Sequence, residues 1–213
     1  MNYDYILWDW NGTIIDDRQL CLDILNYMLV EHGVKPVTMA QYQNFFGFPV
    51  IDYYRKAGFD FSRYSYDSLA QEFIELYQKR SLKVGLVKDS LETIKELHKR
   101  GYKQIVFSAS EINNLNEQID SYQLRGYFKE ALGISNIHAK SKLDLGLNWL
   151  DGLKNKKPRL LMIGDSIHDY EVAQALGADC VLISMGSHQS TKRLEETGAQ
   201  VFTSAKQVLT FLI

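Results

Sequence analysis

Five short runs of consecutive apolar residues punctuate the chain, and each stops at a small or acidic polar residue. Tyr5-Ile6-Leu7-Trp8 stops at Asp9, and Gln104-Ile105-Val106-Phe107 stops at Ser108. Arg159-Leu160-Leu161-Met162-Ile163 stops at Gly164-Asp165, Cys180-Val181-Leu182-Ile183 at Ser184, and Gln200-Val201-Phe202 at Thr203. Continuous apolar character, rather than alternation, marks strands buried on both faces, as in a parallel sheet covered by helices. Between the runs, apolar residues recur at helical spacing. Leu91, Ile94 and Leu97 predict a helix over 90–100 that Gly101 closes. Leu143, Leu147 and Leu150 predict another over 142–153, and Val172, Ala173 and Leu176 a third over 170–176, closed by Gly177. Strand and helix in this rhythm imply right-handed crossovers and helices on both faces of one parallel sheet.

Residues 15–82 break the rhythm. No strand is evident there. Helical stretches at Leu20–Leu29, Met39–Phe45, Val50–Ala57 and Tyr66–Leu82 surround a break at Gly33-Val34-Lys35-Pro36. The predicted class is therefore α/β: a Rossmann-like parallel sheet core, residues 1–14 plus 83–213, with an inserted α-helical cap, residues 15–82. Such a cap would sit over the carboxyl ends of the strands, where open α/β sheets bind ligands.

Composition narrows the functional classes. The 213 residues are 46% hydrophobic and 23% charged with net charge −2, which suits a folded domain that can bury a core. No clustered basic face points to nucleic acid as a partner. Cys21 and Cys180 lie far apart and outside any metal-type spacing, as expected of reduced thiols in a cytoplasmic protein. The N-terminus lacks a basic region followed by an apolar stretch. No apolar run approaches the roughly 18 residues of a membrane span, so a membrane is not an expected partner. A monomer or homodimer is expected.

The polar residues at the strand ends carry the candidate chemistry. Asp9 follows the first run, and Gly12 permits a sharp turn beside it. Ser108 ends another strand. Asp165 and Asp169 stand four residues apart on an opening helical turn, and Lys142 opens the helix before them. On one sheet these groups meet at one edge. Carboxylates that close repel unless a cation joins them, and hard oxygen ligands select magnesium, which binds one or two carboxylates plus a substrate phosphate.

In this order, Asp9-Trp10-Asn11-Gly12-Thr13, Ser108, Lys142 and Gly164-Asp165-Ser166-Ile167-His168-Asp169 resemble the four motifs of the haloacid dehalogenase superfamily over essentially the whole chain. The overall pattern is nearest to its phosphoglycolate phosphatases with a helical cap. The resemblance implies that Asp9 is the nucleophile that takes the phosphoryl group. It implies that Ser108 with Ala109, and Gly12 with Thr13, bind phosphate oxygens, and that Lys142 neutralises phosphate and nucleophile; Lys140, two residues earlier, could take that role. Magnesium would be held by Asp9, Asp165, the backbone carbonyl of residue 11 and Asp169, the last as ligand or support. Phe45-Phe46-Gly47-Phe48-Pro49 resembles the specificity loop of helical caps, with Phe46 toward the substrate. Arg55 is a candidate to hold a substrate carboxylate such as phosphoglycolate presents.

One position departs from the family. Most of its phosphatases carry Asp two residues after the nucleophile as general acid and base; here Asn11 stands, and an amide cannot exchange that proton. Such catalysis is worth about 100- to 10,000-fold. Asp16, Asp17, His168 or a cap residue are candidates to help. The phosphonate-cleaving branch has a similar Asp-Trp-Ala-Gly-Thr but needs a lysine before the specificity loop, which Asn44-Phe45-Phe46 lacks. The expected function is magnesium-dependent hydrolysis of a small phosphorylated metabolite. The alternative is an attenuated or silent phosphate-binding, regulatory protein.

Overall fold

The computed structural model describes residues 3–134, 142–154 and 157–213. Its core is a six-stranded, wholly parallel sheet. The strands are β1 (Tyr5–Trp8), β4 (Gln104–Glu111), β5 (Glu130–Ile134), β6 (Leu160–Gly164), β7 (Asp179–Ile183) and β8 (Gln200–Phe202), in spatial order β5-β4-β1-β6-β7-β8. The order reverses direction around β1, so the crevice at its carboxyl end is the natural ligand position.

β1 shows why its sequence is apolar throughout. Ile6 and Trp8 point to one face, where they pack with Ile94, Leu97, Leu161 and Ile163. Leu7 points to the other, against Ile105, Phe107, Met162 and Val172. Side chains alternate across a strand, and here both faces are covered. Each such side chain, fully buried, contributes about 1.5–3 kcal/mol. Helices α5 (Ser90–Lys99), α6 (Ile112–Ser121), α7 (Lys142–Gly152), α8 (Ile167–Leu176), α9 (Thr191–Glu195) and α10 (Gln207–Phe211) supply the cover.

The insert holds helices α1 (Arg18–Glu31), α2 (Met39–Phe45), α3 (Val50–Ala57) and α4 (Tyr66–Ser81) around a separate apolar cluster that includes Leu25, Met28, Tyr42, Tyr54 and Leu69. Thr38 starts α2 with a capping box to Gln41, and Asn26 pins the preceding linker through both Val37 backbone groups. At the neck, a two-stranded antiparallel ribbon joins β2 (Ile15–Asp16) to β3 (Gly85–Leu86). Ile15 belongs to the core cluster rather than the cap cluster.

The apolar pattern did not mark every element: β2, a two-residue strand inside residues 15–82 where none was expected, and its partner β3 are too short to leave a periodicity. β5 reads Glu-Ala-Leu-Gly-Ile and is only half buried along most of its length, as an edge strand is, so it lacks a continuous apolar run. β4 does not end at Ser108 but continues to Glu111, and its register with β5 shifts between Phe107 and Glu111. That irregularity lies where Ser108 enters the crevice. Both cysteines are free thiols. Among the described residues, no helix is long and apolar enough to cross a membrane.

Candidate active site

The loop after β1 is built to aim Asp9. The buried indole of Trp10 donates to Gln118 at 2.7 Å and anchors the loop from behind. Gly12 adopts φ +71°, and a Cβ there would stand 2.6 Å from an Asp165 oxygen. Only glycine gives both that conformation and that approach.

Three buried carboxylates and one buried ammonium meet at this point. Lys142, 2% exposed, donates from Nζ to Asp9 Oδ1 at 2.5 Å and to Asp169 Oδ1 at 2.6 Å. The second oxygen of Asp169 accepts from the backbone N–H groups of Asp165 and Ser166, both at 3.1 Å, and from the Ser166 hydroxyl at 2.7 Å. Asp165 Oδ2 accepts from the His188 N–H at 3.0 Å. Burial opposes ionisation of Asp169, but the Lys142 charge and hydrogen bonds hold its carboxyl below the usual range. Burial and the Asp169 charge push Asp9 well up. Burial pushes Asp165 up to about 7, partly offset by His188. Burial opposes the Lys142 charge, but Asp169 and Asp9 hold its ammonium above its ordinary value.

With all three acids ionised, the cluster keeps two negative charges that Lys142 does not cancel. The ligand oxygens of Asp9, Asp165 and Asp169 lie within 4.8 Å of one another. An all-oxygen set with uncompensated charge suits a hard divalent cation.

A second buried network supports Asn11. Its amide Nδ2 donates to Asp17 Oδ2 at 2.8 Å and to the Tyr77 hydroxyl at 2.7 Å, and its Oδ1 accepts from Ser110 Oγ at 2.9 Å. Asp17 also accepts from the Gly12 N–H at 3.0 Å and from Tyr77 at 2.6 Å, and it pairs with His188 Nε2 at 3.1 Å. Burial opposes the Asp17 charge, but His188 outweighs it and lowers the Asp17 carboxyl. Burial likewise opposes the His188 charge, but Asp17 raises the imidazole. The other ring nitrogen of His188 bonds the Tyr42 hydroxyl at 2.6 Å. Asp17, Cys21 and His188 form a second group with ligand atoms within 4.8 Å, but its charges already pair with each other.

Asp9, Asn11, Ser108, Ala109, Lys142, Asp165 and Asp169 all border one cavity of about 200 Å³ between core and cap, and Phe46 lines it from the cap. Ser108 Oγ accepts the Ser110 N–H at 3.1 Å, so its hydroxyl is fixed. Thr13 is fully buried behind the loop, with Oγ1 at 3.5 Å from Asp165. Lys140 lies outside the described residues. Arg55 stands apart: its side chain is 59% exposed, paired to Asp52 one turn back on α3, and it does not border the cavity. Among the candidates to assist Asn11, Asp16 is exposed, His168 stacks on Phe48 at the cavity wall, and both Asp17 oxygens already accept hydrogen bonds.

His188 carried no motif in the sequence. It comes from the loop after β7, where Ser187-His188-Gln189 is 0–3% exposed. This loop and helix α9 after it also hold the cap. Gln189 Nε2 and Arg193 Nη1 both donate to the Phe46 carbonyl, at 2.9 and 2.8 Å.

The profile of the haloacid dehalogenase-like hydrolases matches residues 6–183, and the chain belongs to that family. Against a phosphoglycolate phosphatase of Pseudomonas fluorescens (strain Pf0-1), identity is 24% over 213 residues, covering 96% of this chain and 78% of that protein. Against one of Aliivibrio fischeri, identity is 30% over 102 residues, which span 47% of this chain and 45% of that protein. A haloacid dehalogenase-like hydrolase from Streptococcus pneumoniae superposes with a TM-score of 0.82 at 17% identity, covering 100% of this chain and 99% of that one; the likeness is one of fold.

Proposed function

We propose that this protein is a magnesium-dependent phosphomonoester hydrolase that works through an aspartyl-phosphate on Asp9. The observation that carries the reading is the contact of Lys142 with Asp9 and Asp169 beside Asp165, at the carboxyl end of the central strand.

Each residue has a task in the geometry. Asp9 faces the cavity with one oxygen held by Lys142. Its free oxygen attacks phosphorus; the bond from phosphorus to the ester oxygen breaks, and that oxygen leaves with the electron pair. Water then attacks the phosphorus of the aspartyl-phosphate, releases inorganic phosphate and restores the carboxylate. Ser108 and the Lys142 ammonium stand where they can bind the phosphoryl oxygens. Asp169 is a positioning residue: both its oxygens are taken by protein donors, so it orients Lys142 and the turn before α8. Magnesium on Asp9, Asp165 and the carbonyl of Asn11 would neutralise charge on the phosphate. Phosphoryl transfer rests on such positioning and neutralisation more than on covalent chemistry.

Asn11 supplies no proton to the leaving oxygen, and its amide nitrogen already donates to Asp17 and Tyr77. The substrate is a small phosphorylated compound. A carboxylate-bearing one such as phosphoglycolate finds no partner in Arg55, which points to solvent. The test is release of p-nitrophenol from its phosphate, with magnesium and after chelation. Turnover that needs the metal and disappears in Asp9→Asn supports the reading. Turnover unchanged in that variant refutes it, and metal binding without turnover of any phosphate ester favours the silent, ligand-binding alternative.

A further inference from the structure

The cavity in front of Asp9 has an unusual division of labour. Its inner end is charged, but its cap wall is built from Phe46, Phe48, Tyr53, Tyr54, Phe73 and Ile74. Among the described residues, Lys142 is the only lysine or arginine on the wall, and its ammonium is committed to Asp9 and Asp169. A second anionic group on the substrate would therefore enter an apolar space without a counterion, which is strongly unfavourable. A flat apolar group would gain stacking and burial there.

The cap wall also holds two polar atoms in waiting. Tyr53 and Tyr54 are 4% and 2% exposed and border the cavity, yet neither hydroxyl has a hydrogen-bond partner among the described residues. The neighbouring Tyr42 and Tyr77 hydroxyls are both engaged, with His188 and Asp17. Buried hydroxyls without partners are rare and mark places that a ligand can satisfy. Asn11 adds a constraint from the opposite end. An amide at that position gives the leaving oxygen no proton, which favours an alcohol acidic enough to leave as an anion.

These features converge, given the hydrolase reading above. We propose that the substrate is the phosphate ester of an acidic hydroxyl on an uncharged aromatic ring, with a polar ring substituent that meets Tyr53 and Tyr54. Asp9 takes the phosphoryl group, the phosphorus–oxygen bond breaks, and the ring oxygen leaves as a phenolate that takes its proton from solvent.

Four phosphates separate the parts: phenyl phosphate (ring, good leaving group), benzyl phosphate (ring, poor leaving group), acetyl phosphate (good leaving group, no ring) and phosphoglycolate (acidic, poor leaving group). Phenyl phosphate should exceed benzyl phosphate and phosphoglycolate by about 100-fold or more in kcat/KM, the lower bound for an absent general acid. Its KM should lie about 30-fold below that of acetyl phosphate, the yield of burying one ring. Phe73→Ala should shrink that KM ratio. A hydrogen-bond acceptor on the ring should lower KM by about 3- to 10-fold, and Tyr53→Phe with Tyr54→Phe, which keep the rings, should erase that gain. Phosphoglycolate or benzyl phosphate turned over as well as phenyl phosphate overturns the proposal, as does acetyl phosphate bound as tightly. Those results leave the hydrolase reading standing; no Asp9-dependent turnover of any of the four removes both.

Discussion

Asn11→Asp looks like a repair, and the structure predicts that it is not one. The Asn11 amide donates to an Asp17 oxygen 2.8 Å away. A carboxylate in its place would face another carboxylate at that distance. At an effective dielectric of about 20, two unit charges so placed repel by about 6 kcal/mol. The pair escapes the full repulsion by binding one proton. Lifting a carboxyl pKa from its unfolded value near 3.9 to above 7 costs about 4 kcal/mol at pH 7, and the His188 charge beside Asp17 reduces that further. The loss at pH 7 should therefore fall between about 1 and 4 kcal/mol. Its sign with pH follows from proton binding. The folded variant holds a proton that the unfolded chain has released above about pH 4, so stability falls as pH rises from there to the raised folded pKa. Urea unfolding in chelator reads this directly: the deficit against the parent protein should be larger at pH 8 than at pH 5. Equal stability at both would refute the Asn11–Asp17 geometry. The charge-conserving swap, Asn11→Asp with Asp17→Asn, again sets a carboxylate against an amide but takes the Asp17 charge away from His188, so it should recover only part of the loss. The swap also places an acid beside the leaving oxygen, so it should speed hydrolysis of poor leaving groups by about 100-fold or more.

Two further outcomes follow from the buried charges. Lys142→Met leaves Asp9 and Asp169 without their shared cation, and breaking a buried ion pair in this way costs about 3–5 kcal/mol; thermal unfolding in chelator should show that drop, and turnover should vanish. The Asp17–His188 pair predicts a pH window. The His188 contribution is full below its unfolded pKa of about 6.5 and fades as pH rises through the raised folded value, whereas that of Asp17 is present above about 3.9 and fades as pH falls. The stability lost in His188→Asn should therefore be greatest near pH 5–6 and smaller at pH 9, and a deficit that grows toward pH 9 would contradict the pairing.

The central strands were legible because a parallel strand covered on both faces has no polar position to hide it; Ile6, Leu7 and Trp8 are all buried. β5 escaped because an edge strand is half solvated. Asp9, Lys142 and Asp165 could be placed because each sits at a strand end or helix start, and Ser108 because the apolar run of β4 stops there although the strand continues to Glu111. His188 could not, since its partner Asp17 lies 171 residues away and only the closed fold brings them together. The one available sign was a polar tripeptide after a strand at the ligand-binding edge. Arg55 stands outside the cavity for a local reason: the helical pattern of α3 does not say which face meets the cavity, and Asp52 one turn earlier offers the arginine a partner on the outside. Periodicity alone does not divide the cap aromatics between cap core and cavity wall.

The most direct measurement concerns the carboxylate of Asp9. An aryl phosphate mixed with the enzyme and magnesium, quenched in acid during turnover and reduced with borohydride, converts an acyl-phosphate on aspartate to homoserine. Peptide mass spectrometry should find homoserine at position 9, only with substrate, and not in Asp9→Asn. Substrate hydrolysed at full rate with position 9 still aspartate, or with the label at another carboxylate, would contradict the assignment of Asp9 as the phosphoryl acceptor.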